Sequence, residues 1–257
     1  MPAPSVPTAP RPPLRASLLT RLGFIRFGFV TMTLAFPLTV MQVITHQFSP
    51  TARNFRRWAN RWGRWTLALS GFRLTVHQDA SLDPDQPYVF VANHQNWLDI
   101  MILLAGVPEA FGFVAKAETK RIPFIGLALQ QSPSIFLDRS DPRRAVASLQ
   151  EAGERIRQGN SVLIFPEGSR SYSNALQPFK KGAFQVAVAA GVPLVPVTIH
   201  NSYEVMNEQL TAARPGHVHL TIGTPISMEG KKRSDLPKVM ATVHEVMRAT
   251  LQNPNSA

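Results

Sequence analysis

Three hydrophobic patterns follow one another along the chain. The first is an uncharged apolar run from Phe27 to Ile44, interspersed with Thr31, Thr33, Thr39 and Gln42 and interrupted by Pro37. A bilayer core needs about 20 apolar residues. The run is marginal as a span, and a segment that dips into one leaflet fits it equally well. A cleaved signal peptide fits less well, because the run starts late and no small-x-small site follows it. The second pattern is helical. At ~100° per residue, Phe55, Trp58, Trp62, Trp65 and Leu69 share one narrow stripe. Arg53, Arg56, Arg57, Arg61 and Arg64 occupy the rest of the circumference. Such a helix either lies in a membrane interface, rings at the headgroup boundary and cations on the phosphates, or packs its tryptophans on the preceding run or the folded body.

From Phe72 the pattern changes to short apolar runs between turn signals. Strands are expected at Phe72–His77, Tyr88–Ala92, Gly112–Ala115, Ile135–Leu137, Val162–Phe165, Leu194–Ile199 and Val218–Ile222. Helices are expected at Leu98–Leu104, Pro123–Gln130, Arg143–Arg157, Ala183–Ala190 and Leu236–Leu251. Alternation of the two predicts an α/β fold, a mainly buried sheet flanked by helices, preceded by the N-terminal helical segment. In such folds chemistry collects at strand ends and in the loops that follow.

Charge changes the picture at the N-terminus. Ten arginines and no acid precede Asp79, whereas the remainder carries seventeen basic and sixteen acidic side chains. A nucleic-acid binder spreads its basic patch over the domain that reads the polymer. Here the body is nearly neutral and the charge flanks the apolar run, so no nucleic-acid partner is expected. Anionic lipid is the expected counter-surface, each basic residue near it contributing roughly 1 kcal/mol. Residues 2–13 are proline-rich, and a disordered lead is expected there. The organisation is then a lead over 1–22, a membrane-anchoring helical segment over 23–70 and a folded body over 71–257. Cysteine is absent, which excludes disulfides, thiolate metal sites and cysteine nucleophiles.

The local signal with most chemistry is Asn93-His94-Gln95-Asn96-Trp97-Leu98-Asp99, between an apolar strand and an apolar helix. An imidazole at a strand end can face a cleft, and a carboxylate one turn later can reach one ring nitrogen. That contact sets the tautomer and leaves the other nitrogen free to take a proton from a hydroxyl. By itself the spacing is common, and a lone histidine is more often structural than catalytic. His217 and His219 share one face of an expected strand as two metal ligands would. No third ligand is suggested nearby, so no metal site is expected, and no nucleotide-type glycine loop is present.

Three further blocks accompany the first in order and spacing. They are Ser134-Ile135-Phe136-Leu137-Asp138-Arg139, Phe165-Pro166-Glu167-Gly168-Ser169-Arg170 and Val192-Pro193-Leu194-Val195-Pro196-Val197. With the stretch Gln177–Phe184 and with Lys116-Ala117-Glu118, they resemble the 1-acyl-sn-glycerol-3-phosphate acyltransferase (PlsC-like lysophospholipid acyltransferase) family over roughly residues 70–225. The sequence departs from the family at Pro133, where the second block usually opens with glycine. Ser169 stands where threonine is common, and the loop after the third block lacks a frequent glycine.

The resemblance implies direct acyl transfer, with His94 as general base and Asp99 as its partner. The acyl donor would be acyl-CoA or acyl-carrier protein, a co-substrate, with no other cofactor. The acceptor would be 1-acylglycerol-3-phosphate, giving phosphatidic acid; another lyso-lipid such as lyso-ornithine lipid is the alternative. Absence of cysteine and of a G-x-S-x-G elbow agrees with a route lacking a covalent acyl-enzyme. Arg170 and Arg139 are the expected phosphate contacts, with Lys116 and Lys181 behind them. Glu167 either orders the loop through Arg170 or binds the acceptor glycerol, and Gly168 lets the backbone turn tightly. The expected partners are membrane lipids and the lysophospholipid, at the cytoplasmic face of the inner membrane. From another class, a non-catalytic membrane-binding protein would use only the arginine–tryptophan helix.

Overall fold

The computed structural model describes residues 13–137 and 152–252. Helix α1 (Leu18–Phe48) begins at Ser17, whose hydroxyl accepts the Thr20 N–H while its own N–H donates to the Thr20 hydroxyl. The helix continues through Pro37, which is exposed. Proline removes one helical hydrogen bond there, and packing along the opposite face carries the helix past it. That face buries Phe27, Thr31, Ala35, Leu38, Thr39 and Gln42.

Helix α2 (Ala52–Ser70) runs back along α1 and stops at Gly71, whose φ of 84° makes a left-handed cap. Its aromatic stripe divides. Phe55 is buried; the Trp58 indole N–H donates to Thr45 Oγ1 at 2.9 Å and that of Trp62 to the Thr31 carbonyl at 3.1 Å. Only Trp65 and Leu69 stay exposed. The stripe is thus mainly the contact with α1. The arginine face also divides, because Arg56 turns inward. Its guanidinium donates to the carbonyls of Leu104, at 2.7 Å, and Val107 at the end of α3 (Leu98–Gly106), where Asn60 bonds Leu104 and Ala105. Burial lowers its pKa to about 10, so the group remains a cation capping a helix C-terminus.

The main sheet contains β1 (Phe72–Gln78), β2 (Val89–Ala92), β3 (Phe111–Lys116), β4 (Ile135–Leu137), β5 (Ser161–Ile164), β6 (Leu194–His200) and β9 (Gly216–Ile222). Their order is β1-β9-β6-β2-β5-β3-β4, and every neighbouring pair is parallel except β6–β9. Both faces are covered, which is why β2, β5 and β6 are buried at every position and β2 is apolar throughout. Phe90, Ala92, Leu163, Val195 and Val197 point toward α3 and α2. Val89, Val91, Val162, Ile164 and Leu194 point toward α5, whose described part is residues 152–157, and toward α6 (Lys181–Ala190) and α8 (Leu236–Gln252). Residues 143–151 of the expected helix lie outside the described residues.

Smaller elements complete the chain: α4 (Ile125–Gln130), α7 (Ser202–Val205) and a hairpin of β7 (Met206–Asn207) and β8 (Ala212–Ala213). The hairpin packs on α1, where Gly23 lies so close to the Ala213 carbonyl that a side chain there would collide with it. The sheet is mixed, flanked by helices, with the long apolar helix at its N-terminal side, as the alternation of patterns predicts.

Candidate active site

Strands β2, β5 and β6 are parallel neighbours, so their C-terminal ends open on one edge of the sheet. The turn after β2 is built by its amides. Asn93 exchanges two hydrogen bonds with the backbone of Ile199, at 3.0 and 2.8 Å, which ties the end of β2 to β6. Gln95 Oε1 accepts from the Ser202 hydroxyl and the Tyr203 N–H. Asn96 donates to the Met206 carbonyl and accepts the Leu98 N–H. All three amides are buried, whereas His94 remains partly exposed.

The imidazole is held from two directions. Nδ1 lies 2.9 Å from Asp99 Oδ2, and the same oxygen accepts the N–H groups of Gln95, at 2.5 Å, and Asn96, at 2.9 Å. Asp99 is fully buried in the first turn of α3, where the helix dipole favours a carboxylate. A carboxylate only accepts, so the shared proton resides on Nδ1 and the lone pair on Nε2. Among the described residues Nε2 has no hydrogen-bond partner. The ring also stacks on Phe165, centroids 3.9 Å apart and planes 14° apart. Phe165 follows β5, so two strands set the ring's position.

Glu167 sits behind this arrangement. Its carboxylate accepts the His94 N–H at 2.8 Å and the Gln177 N–H at 3.1 Å, and it is buried. Burial pushes its pKa from 4.5 up to about 7, against the downward pull of those two N–H groups. The folded protein therefore binds this proton more tightly than the unfolded chain. The stability it contributes is complete below pH 4.5 and is lost as pH rises through about 7. Replacing Glu167 with glutamine should remove that slope. Denaturant unfolding in detergent at about pH 5 and pH 8 should show the wild type losing on the order of 3 kcal/mol relative to the variant. Parallel behaviour of the two proteins would refute it.

Gly168 turns with a φ of 76°, and the Lys180 side chain lies where its Cβ would be. Arg170 does not meet Glu167. Its Nη1 pairs with Glu208, a residue the sequence did not single out. The guanidinium also lies over the rings of Trp97, at 5.4 Å, and Tyr172, at 5.3 Å. Glu208 in addition accepts the Trp97 N–H at 2.5 Å, and its pKa is raised by burial and lowered by Arg170. Lys116 ends β3, Lys181 begins α6 on the surface, and Arg139 lies outside the described residues. His217 and His219 stand on β9 with rings 4.3 Å apart, His217 bonded to Thr75. Among the described residues no group of three or more His, Asp or Glu is placed to hold a metal. A cavity of about 730 Å³ lined by Arg53, Arg56, Asp85 and Glu109 lies at the N-terminal ends of β3 and β5, away from His94.

Comparison with known proteins gives the same outline. The family model described as Acyltransferase matches residues 73–200. The chain is 36% identical over 206 residues to the chloroplastic 1-acyl-sn-glycerol-3-phosphate acyltransferase of Brassica napus, covering 77% of this chain and 58% of that one. Against the enzyme of that name from Chlamydomonas reinhardtii the identity is 32% over 228 residues, covering 86% of this chain and 68% of the relative. The beta form of Homo sapiens is 34% identical over 181 residues, 70% of this chain and 65% of the relative. The chain thus spans 58–68% of the length of these relatives. The crystal structure of PlsC from Thermotoga maritima shares the fold, with a TM-score of 0.80 and 24% identity over 93% of this chain and 98% of that one. By its sequence relatives the chain belongs to the 1-acyl-sn-glycerol-3-phosphate acyltransferase family.

Proposed function

We propose that the protein moves a fatty acyl group from acyl-CoA or acyl-carrier protein to the sn-2 hydroxyl of 1-acylglycerol-3-phosphate, giving phosphatidic acid. The observation that carries this is the 2.9 Å contact between His94 Nδ1 and buried Asp99, which leaves Nε2 as the base. Nε2 takes the hydroxyl proton while the alcohol oxygen attacks the thioester carbon. The new C–O bond forms, the tetrahedral adduct collapses with loss of the C–S bond, and the imidazolium returns the proton to the departing thiolate. Asp99 compensates the charge on the imidazolium throughout. Arg170 supplies a planar donor fork for the acceptor phosphate, and the names of the relatives support that acceptor.

The acceptor is tested directly. Purified protein in vesicles is offered lysophosphatidate, lyso-ornithine lipid or monoacylglycerol with one acyl-CoA, and products are identified by mass spectrometry. Lysophosphatidate should be preferred. Preference for a phosphate-free acceptor would defeat the proposal.

The same proposal places the protein on a membrane through α1. Leu22, Ile25, Phe29, Met32, Phe36 and Val40 are exposed at helical spacing along one face. The other face is fastened to the body: Arg26 donates to the Ser70 carbonyl at 2.5 Å, and Gln42 to the Ala128 carbonyl at 3.2 Å. A helix fastened lengthwise with its outer face apolar lies along the membrane rather than across it. Each buried phenylalanine contributes roughly 1.5–3 kcal/mol. The double variant Phe29→Asp, Phe36→Asp should therefore lose vesicle affinity by about a hundredfold or more in a flotation assay. Unchanged flotation would assign the anchor elsewhere.

A further inference from the structure

We infer that Glu208 is a positioning residue for the acceptor headgroup, acting through Arg170 to set the preference for a phosphate-bearing acceptor. The inference rests on the acceptor reading proposed above. Glu208 opens the turn between β7 and β8 and bridges two segments far from it in the chain. One oxygen pairs with Arg170 Nη1, in the third sequence block; the other accepts the Trp97 N–H, in the turn between His94 and Asp99. The side that recognises the headgroup and the side that moves the proton are thus fastened to one carboxylate.

The turn that carries Glu208 is itself fixed. Asn207 accepts the Leu210 N–H and donates to the Tyr203 hydroxyl. At the base of the hairpin the Arg214 N–H donates to the Val205 carbonyl, and Asn96 donates to Met206. The Glu208 side chain is only 11% exposed. A carboxylate that far from water is retained where a charge partner and a donor both hold it, and here these are Arg170 and the Trp97 amide.

Arg170 has a long side chain, 28% exposed, that must present a planar fork in one orientation to bind phosphate well. Trp97 and Tyr172 restrict it through their ring faces. Neither ring fixes rotation of the guanidinium within its plane. The carboxylate does, because it engages Nη1 and leaves the remaining N–H donors for a ligand. Glutamine at 208 keeps the shape and an acceptor for Trp97 but gives up the charge pairing.

Steady-state kinetics of Glu208→Gln and Glu208→Asp, with lysophosphatidate or monoacylglycerol in vesicles and one acyl-CoA, test this. Glu208→Gln should raise the apparent KM for lysophosphatidate about tenfold and leave kcat within about twofold, since it disturbs binding geometry rather than the base. The KM for acyl-CoA and the turnover of monoacylglycerol should not move, and Glu208→Asp should recover part of the loss. An unchanged KM, or equal loss of kcat on both acceptors, would reduce Glu208 to a brace of the Trp97 turn and overturn the inference. A lower KM would overturn it too, by making the carboxylate a competitor of the phosphate. A wild-type protein without preference for lysophosphatidate would instead defeat the acceptor reading and this inference with it.

Discussion

His94→Ala should lower the rate of acyl transfer by roughly 10³–10⁴-fold while the protein still folds. The backbone at 94 makes contacts that alanine retains: its N–H donates to Glu167 at 2.8 Å and its carbonyl accepts the Ser171 N–H at 2.8 Å. What is lost is the ring, with its stack on Phe165 and its bond to Asp99. Asp99 Oδ2 keeps two backbone donors, so the carboxylate is not orphaned. The stability cost is then that of one hydrogen bond and one aromatic contact, about 1–3 kcal/mol. The catalytic cost is larger because among the described residues no other group beside His94 stands ready as base. Glu167 spends both oxygens on backbone N–H groups, and Glu208 faces Arg170. Release of free thiol from acyl-CoA, followed alongside circular dichroism, measures both quantities. Near-normal kcat in the purified variant would remove His94 from the mechanism.

Much of this site can be read from the residues before any coordinates. The strand–turn–helix around Asn93–Asp99 follows from an apolar strand running into polar turn residues and then an apolar helix, and the third block supplies Phe165 and Glu167 beside His94. The partner of Arg170 does not follow. Glu208 lies 38 residues downstream in a turn between two strands of two residues each, too short for any periodic signal. Glu167 illustrates a second limit. A carboxylate beside an arginine in sequence suggests an ion pair, but after a positive-φ glycine the two side chains diverge, one to the His94 amide and one to Glu208. Helix α2 shows a third. Its stripe is plain in the sequence, yet a stripe gives only a direction on the helix, and whether lipid or α1 covers it is a tertiary choice. The one antiparallel pairing of the main sheet among the described residues, β9 beside β6, is likewise set by how the chain returns after the hairpin rather than by the apolar run itself.

The second large loss is expected at Asp99, and here the form of the substitution decides what is learned. Alanine would strip the acceptor from His94 and from the Gln95 and Asn96 amides at once. Buried donors left without partners cost about 1–3 kcal/mol each, so that variant mixes misfolding with chemistry. Asparagine separates them. Its carbonyl oxygen can take the place of Oδ2 and accept all three N–H groups, which keeps the turn and the Nδ1–H tautomer. Its NH2 then falls at Oδ1, which is buried and has no hydrogen-bond partner among the described residues. The geometry survives and only the charge is gone. A neutral amide does not compensate the imidazolium that forms as the alcohol gives up its proton, so kcat should fall roughly 10²–10³-fold. The KM for either substrate should stay within about threefold, because neither is bound through Asp99. Unfolding of the variant should shift by no more than about 1–3 kcal/mol, because an uncharged side chain is easier to bury than a carboxylate but its NH2 meets no acceptor there. Wild-type kcat in a folded Asp99→Asn protein would show that the carboxylate is a turn-builder without electrostatic part in the reaction, and His94 would have to act alone.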